Sequence, residues 1–97
     1  MPTYILLGKF TDQGVRHIKA SPDRAGEFRE AAAKVGVEVK AIYWTLGQFD
    51  VIAIVTAPDE DACGTLIMDL AARGNVRTQT MRAFDQEEMR RILGGSP

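Results

Sequence analysis

The chain has 97 residues, 45% of them hydrophobic and 26% charged, with twelve basic and thirteen acidic side chains for a net charge of −1. That length gives one domain with a small core, and the even charge balance lacks the electrostatic footprint of a nucleic-acid binder. A lone cysteine, Cys63, excludes an intrachain disulfide, and the longest purely apolar run, Val51–Val55, falls far short of a membrane span. The expectation is a soluble cytoplasmic protein without a signal peptide, acting on neither membrane nor nucleic acid.

Thr3–Phe10 reads as the first strand. Tyr4, Leu6, Gly8 and Phe10 alternate with Ile5, Leu7 and Lys9, so most of its length is apolar on both sides. Gly8 either relieves crowding or opens space for a ligand. Thr11 or Asp12 can cap a short helical turn reaching Ile18. Ser21-Pro22 starts a helix, Ser as N-cap and Pro in the first turn. Ala25, Phe28, Ala32 and Val35 form its apolar stripe, and Gly36 ends it.

Val37–Thr56 is a predicted hairpin. Gly47-Gln48 suits a two-residue type II′ turn, because glycine takes φ > 0 at the first turn position. That turn pairs Leu46 with Phe49, Trp44 with Val51 and Ile42 with Ala53 on one face. Thr45 meets Asp50, Tyr43 meets Ile52 and Ala41 meets Ile54 on the other. Both faces are mainly apolar.

Pro58 breaks the third strand, and Asp59 caps a helix reaching Arg73. Its two neighbouring rows, Ala62/Leu66/Leu70 and Cys63/Ile67/Ala71, make a wide sheet-packing stripe. Gly64 inside that helix suggests a close contact, since it costs about 1 kcal/mol against alanine. Asn75–Phe84 is the last strand, with Thr78, Thr80 and Arg82 on one face. Asp85 and Glu88 have capping-box spacing for a short third helix carrying Met89, Ile92 and Leu93. Residues 94–97 read as a flexible tail after a single domain of residues 1–93.

The order strand, helix, strand, strand, helix, strand is the ferredoxin-like split βαβ pattern, an α+β fold with a four-stranded antiparallel sheet and a short C-terminal helix. Two helices cover one sheet face. The other face, equally apolar, is expected to meet the same face of a second copy in a homodimer or a higher oligomer.

Several segments together resemble the GYD domain family: Pro2-Thr3-Tyr4-Ile5, Phe10-Thr11-Asp12-Gln13-Gly14, Ile18-Lys19-Ala20-Ser21-Pro22, Tyr43-Trp44-Thr45-Leu46-Gly47-Gln48-Phe49-Asp50, Gly74-Asn75-Val76-Arg77-Thr78 and Arg82-Ala83-Phe84. The resemblance implies a dimeric α/β barrel and supplies no catalytic residue. Gly47 and Asp50 match the residues that name the family, while Phe49 stands where tyrosine is typical.

Candidate catalytic residues are Asp50, Tyr43 and His17. Asp50, beside Thr45 and near Tyr43 on an apolar face, suits a general base with a raised pKa. It equally suits a carboxylate that holds the hairpin. His17 is the sole histidine and titrates near neutral pH, although no acid stands at an obvious spacing from it. The candidate ligand-binding set is Tyr43, Thr45, Asp50, Thr80 and Arg82. Arg82 suits a bidentate grip on a ligand carboxylate or phosphate, or an ion pair with Asp50 or with an acid of a partner subunit. The absence of a P-loop, a GxGxxG or an HExxH leaves no expected cofactor or metal. The functional expectation is a small organic ligand inside the barrel, possible metal-free and nucleotide-free chemistry included. A non-enzymatic assembly or sensing module is the alternative.

Overall fold

The structure is a computed structural model and describes residues 1–94, so most of the expected tail lies outside the described residues. Its elements are β1 (Thr3–Phe10), α1 (Asp12–Arg16), a 3₁₀ turn (Ile18–Ala20), α2 (Ser21–Lys34), β2 (Glu38–Trp44), β3 (Val51–Thr56), α3 (Glu60–Arg73), β4 (Val76–Ala83) and α4 (Gln86–Ile92). The strands form one antiparallel sheet in the order β2-β3-β1-β4. This is the ferredoxin-like α+β arrangement.

The caps follow the local chemistry of the sequence. Thr11 accepts from the Gly14 N–H at the start of α1. Asp59 accepts from Ala62 N–H at the start of α3. Asp85 and Glu88 form the reciprocal capping box of α4. Gly36 and Gly74 take positive φ just after α2 and α3. Ser21 is different. Ala20 is the N-cap of α2, and the Ser21 hydroxyl accepts instead from Trp44 Nε1 at 2.9 Å. An indole N–H at a half-buried site needs a partner, and this one lies 23 positions away in sequence.

One face of the sheet carries the core. Tyr4, Leu6 and Gly8 are buried on β1, with Ala53 and Val55 across from Leu6 and Tyr4 on β3. Phe28 and Ala32 of α2 and Cys63 and Leu66 of α3 close over them, joined by Val37 and Ala57. Burying a side chain such as Leu66 contributes about 1.5–3 kcal/mol. Ala32 is fully buried, so a larger residue there would force α2 off the sheet. Burial pushes the Tyr4 phenol and the Cys63 thiol up from their ordinary pKa values, and both stay neutral at pH 7.

The hairpin register is the expected one: Ala41 pairs Ile54, Ile42 pairs Ala53, Tyr43 pairs Ile52 and Trp44 pairs Val51. The turn is not the expected one. Regular pairing stops at Trp44 and Val51, and Gly47 has φ 141°, far from the type II′ region near +60°. Side chains hold the loop instead, with Thr45 Oγ1 donating to Phe49 O at 2.6 Å and Lys9 lying 5.7 Å from the Phe49 ring centroid. A bulge between Val39 and Ala41 also shifts the pairing. It lets Val37 and Val39 share a face with Ile42 and Trp44, and it twists an edge strand, where bulges collect. The close contact expected at Gly64 is absent, because a Cβ there would meet nothing within 4 Å.

Among the described residues, no helix lies on the opposite face of the sheet. Ile5 and Leu7 of β1 and Ile52 and Ile54 of β3 alternate with the buried set and do not join the core cluster. Tyr43 and Met81 are exposed beside them. The molecule is 17 Å thick along its shortest axis, which fits one sheet and one helix layer.

Candidate functional site

Tyr43, Thr45 and Asp50 sit together at the β2–β3 end of the bare face. Asp50 ties three strands there. Its N–H donates to Gly8 O at 2.8 Å, its carbonyl accepts from Thr45 N–H at 2.8 Å, and its Oδ2 accepts from Phe10 N–H at 2.9 Å. The carboxylate thus satisfies the last N–H of β1 across a separation of 40 residues. Tyr43 is 61% exposed. Its ring extends the apolar surface of Ile52, its cross-strand partner.

Thr80 and Arg82 lie on the other face. They pair with Leu6 and Tyr4, whose side chains point to the helices. Within one protomer the five ligand-binding candidates therefore divide between two faces. Arg82 is tied to its own chain: its guanidinium donates to Thr3 O at 3.2 Å and to Ala83 O, pairs with Glu88 Oε2 at 3.3 Å, and lies 4.4 Å from the Phe84 ring centroid. The acid facing Arg82 is Glu88 and not Asp50. The Asp85 N–H, more than the Arg82 guanidinium, holds the Glu88 carboxyl below the usual glutamate range. His17 is exposed after α1, and its carbonyl accepts from Arg24 Nη1 at 2.7 Å.

A contact that no local pattern announces joins α1 to the start of β4. Thr11 N–H donates to Asn75 O at 3.1 Å, and Thr11 Oγ1 donates to Gly74 O at 2.6 Å. Gln13 Nε2 donates to Arg73 O and Asn75 Oδ1 at 3.0 and 2.9 Å. Gly14 is buried at this junction, and a Cβ on it would lie 2.1 Å from Asn75 O. The two stretches, Phe10–Gly14 and Gly74–Asn75, are legible as motifs, but their mutual contact is not.

The junction borders a cleft between α2 and α3, above the core face of the sheet. Its cavity has a volume of about 90 Å³. Leu6, Ile42 and Ala53 form the floor, with Phe28 and Leu70 as walls. Arg24, Glu27, Asp69 and Arg73 stand at the rim. Arg73 pairs with Glu27 at 3.3 Å and Asp69 at 3.1 Å and so bridges the two helices. Gly8 borders the cleft as well, yet a Cβ there would meet Val51 Cγ1 at 2.8 Å. The missing side chain therefore relieves strand crowding.

Among the described residues no three His, Cys, Asp or Glu side chains are grouped to hold a metal, and no helix is long and apolar enough to cross a membrane.

A sheet in the order β2-β3-β1-β4 with two helices on one face defines a small ferredoxin-like α+β domain. The chain belongs to the GYD domain family, whose match spans residues 4–93. It is similar to the glutamine synthetase and cystathionine beta-lyase binding protein of Thermus thermophilus, with 37% identity over 85 residues covering 87% of this chain and 90% of the relative. Among solved structures, that of FFRP-DM1 superposes with a TM-score of 0.63 at 19% identity, covering 87% of this chain and 100% of the other. A feast or famine regulatory protein from M. tuberculosis, complexed with L-methionine, gives 0.57 at 15% identity, covering 89% of this chain and 52% of that one. At these identities the two structures share the fold.

Proposed function

We propose that the protein is a homodimeric α/β-barrel module of regulatory type, which binds a small organic molecule and acts on a partner protein. The observation that carries this reading is the bare sheet face with Ile5, Leu7, Ile52 and Ile54 along its centre. Four strands of up to eight residues present a face of about 500 Å² at the usual strand spacing and rise. Its apolar centre, bordered by Lys9, Arg77 and Gln79, would be left wet in a lone protomer. Packed against its copy, it buries about 1,000 Å², the lower bound of a specific interface. Tyr43, Thr45 and Asp50 then border the enclosed interior.

The binding and regulatory part draws support from the cleft under the helices and from the relatives. One relative is named for binding two enzymes, and one neighbour was solved with an amino acid bound. The commitment of Asp50 to the β1 backbone and of Arg82 to α4 favours a structural role over catalysis at those residues.

Sedimentation equilibrium at micromolar concentration tests the dimer. The wild type should run as a dimer or a multiple of it. Ile52→Lys, which buries a charge in the interface, should run as a folded monomer. Met68→Lys, on the exposed side of α3, should leave the state unchanged. A wild-type monomer at that concentration overturns the reading. A thermal-shift screen against metabolites tests the ligand, because a molecule that binds only the folded form raises the apparent stability.

A further inference from the structure

We propose that the cleft between α2 and α3 is a binding site for a small carboxylate with a short aliphatic chain, the carboxylate held by Arg24 and the chain lying on the sheet. The inference rests on the small-molecule reading above and gives that molecule a place and a chemical class. It concerns the helix side of the sheet, so it is independent of what covers the other side.

The size of the cavity limits the apolar part. Its volume is about 90 Å³, well below the ~150 Å³ cavity that accommodates benzene. A chain of a few carbons fits. The floor and walls named above, Leu6, Ile42, Ala53, Phe28 and Leu70, carry no polar side-chain atom, so the inserted group must be apolar. Ala25 also borders the cavity, and its short side chain leaves the space open from the α2 side.

The rim selects the head group. A guanidinium has five N–H donors. Arg24 uses Nη1 on His17 O at 2.7 Å and Nη2 on Gly14 O at 3.4 Å. Both acceptors are neutral carbonyls, and Arg24 makes no ion pair among the described residues. It is therefore a positive charge held in place by the chain, with donors to spare and no anion of its own. The other rim cation, Arg73, is already shared by Glu27 and Asp69. A carboxylate on Arg24 gains charge-assisted hydrogen bonds. The same chemistry can come from a simple aliphatic acid or from an aliphatic α-amino acid. In the second case the ammonium group falls to Glu27 or Asp69.

The test is an NMR titration of the full chain with 4-methylpentanoate, L-leucine and 3-methylbutylamine as probes. Saturable shifts at Ala25, Phe28, Ala53 and Leu70 with 4-methylpentanoate are expected, and none there with the amine. L-Leucine binding more tightly than 4-methylpentanoate also supports the site and identifies the amino acid as the source. Arg24→Gln should weaken binding about ten- to a hundredfold, the effect of losing hydrogen bonds to a charged group. Ala25→Leu, which fills the cavity from α2 without touching Arg24, should abolish it while the spectrum stays folded. The proposal is overturned by no saturable binding of either carboxylate, by equal binding of the amine, or by binding that survives both variants. If other metabolites stabilise the protein and shift Ile5, Ile52 or Tyr43 instead, the site fails and the small-molecule reading stands. If no molecule stabilises it, that reading fails too.

Discussion

Replacing Gly14 with alanine adds one carbon where α1 meets the start of β4. The new Cβ would lie 2.1 Å from Asn75 O, 3.1 Å from Asn75 C and 3.4 Å from Asn75 Cα. All three are backbone atoms, so no side chain can rotate away. Either α1 lifts or the start of β4 shifts, and overpacking of this kind costs about 1–3 kcal/mol. The displacement also strains the bonds from Thr11 to Asn75 O and Gly74 O and those from Gln13 to Arg73 O and Asn75 Oδ1. Each is worth about 1 kcal/mol net. A total near 3 kcal/mol lowers the Tm of a domain this size by about 12–24 °C. The matched controls are Gly26→Ala and Gly64→Ala. Both sit inside helices with nothing within 4 Å of the added carbon, and each should stabilise by about 0.5–1 kcal/mol. Urea unfolding of all three at one protomer concentration is the assay, since association would otherwise move the midpoint. Gly14→Ala within 0.5 kcal/mol of wild type, a threshold of about the size of an ordinary surface effect, would refute the junction.

Two further outcomes follow from the site. Asp50→Ala strands the Phe10 N–H and should destabilise by about 1–3 kcal/mol in the same urea assay, whereas Asp50→Asn keeps an acceptor and should cost far less; equal losses would remove the three-strand tie. Glu88 has a folded pKa below its unfolded value, so its contribution to the α4 cap is present above about pH 4.3, the unperturbed glutamate pKa, and is lost as pH falls through the folded value. The backbone amide shifts of Met89–Ile92 should move toward coil positions across that acid range and should already be there in Glu88→Ala at neutral pH. An α4 unchanged through the acid titration would contradict this account.

Much of the fold follows from short-range chemistry. The alternation in Thr3–Phe10 and Val51–Thr56, the caps at Thr11, Asp59 and Asp85 and the stops at Gly36 and Gly74 depend on neighbours within one turn or one strand pair. The hairpin register was legible for the same reason, because a slip of one residue would turn Ile42 and Ala53 to the wrong face. That register even survived a different turn. Its constraint came from the faces of the two strands more than from Gly47.

Other features needed partners far apart in sequence. Ser21 has the chemistry of a cap, yet Trp44 took its hydroxyl. Gly14 carries no local sign of its role, yet Asn75 leaves it no room for a side chain. Thr80 and Arg82 shared a face with each other, but only the β1–β4 pairing put that face toward the helices and away from Tyr43, Thr45 and Asp50. The cleft beside Arg24 lies where α2 and α3 pack on the same face of the sheet. Local propensity acts over a few residues and is written in their order. Which side chains meet across two layers is set by packing, where a single methyl group or one indole N–H decides the neighbour.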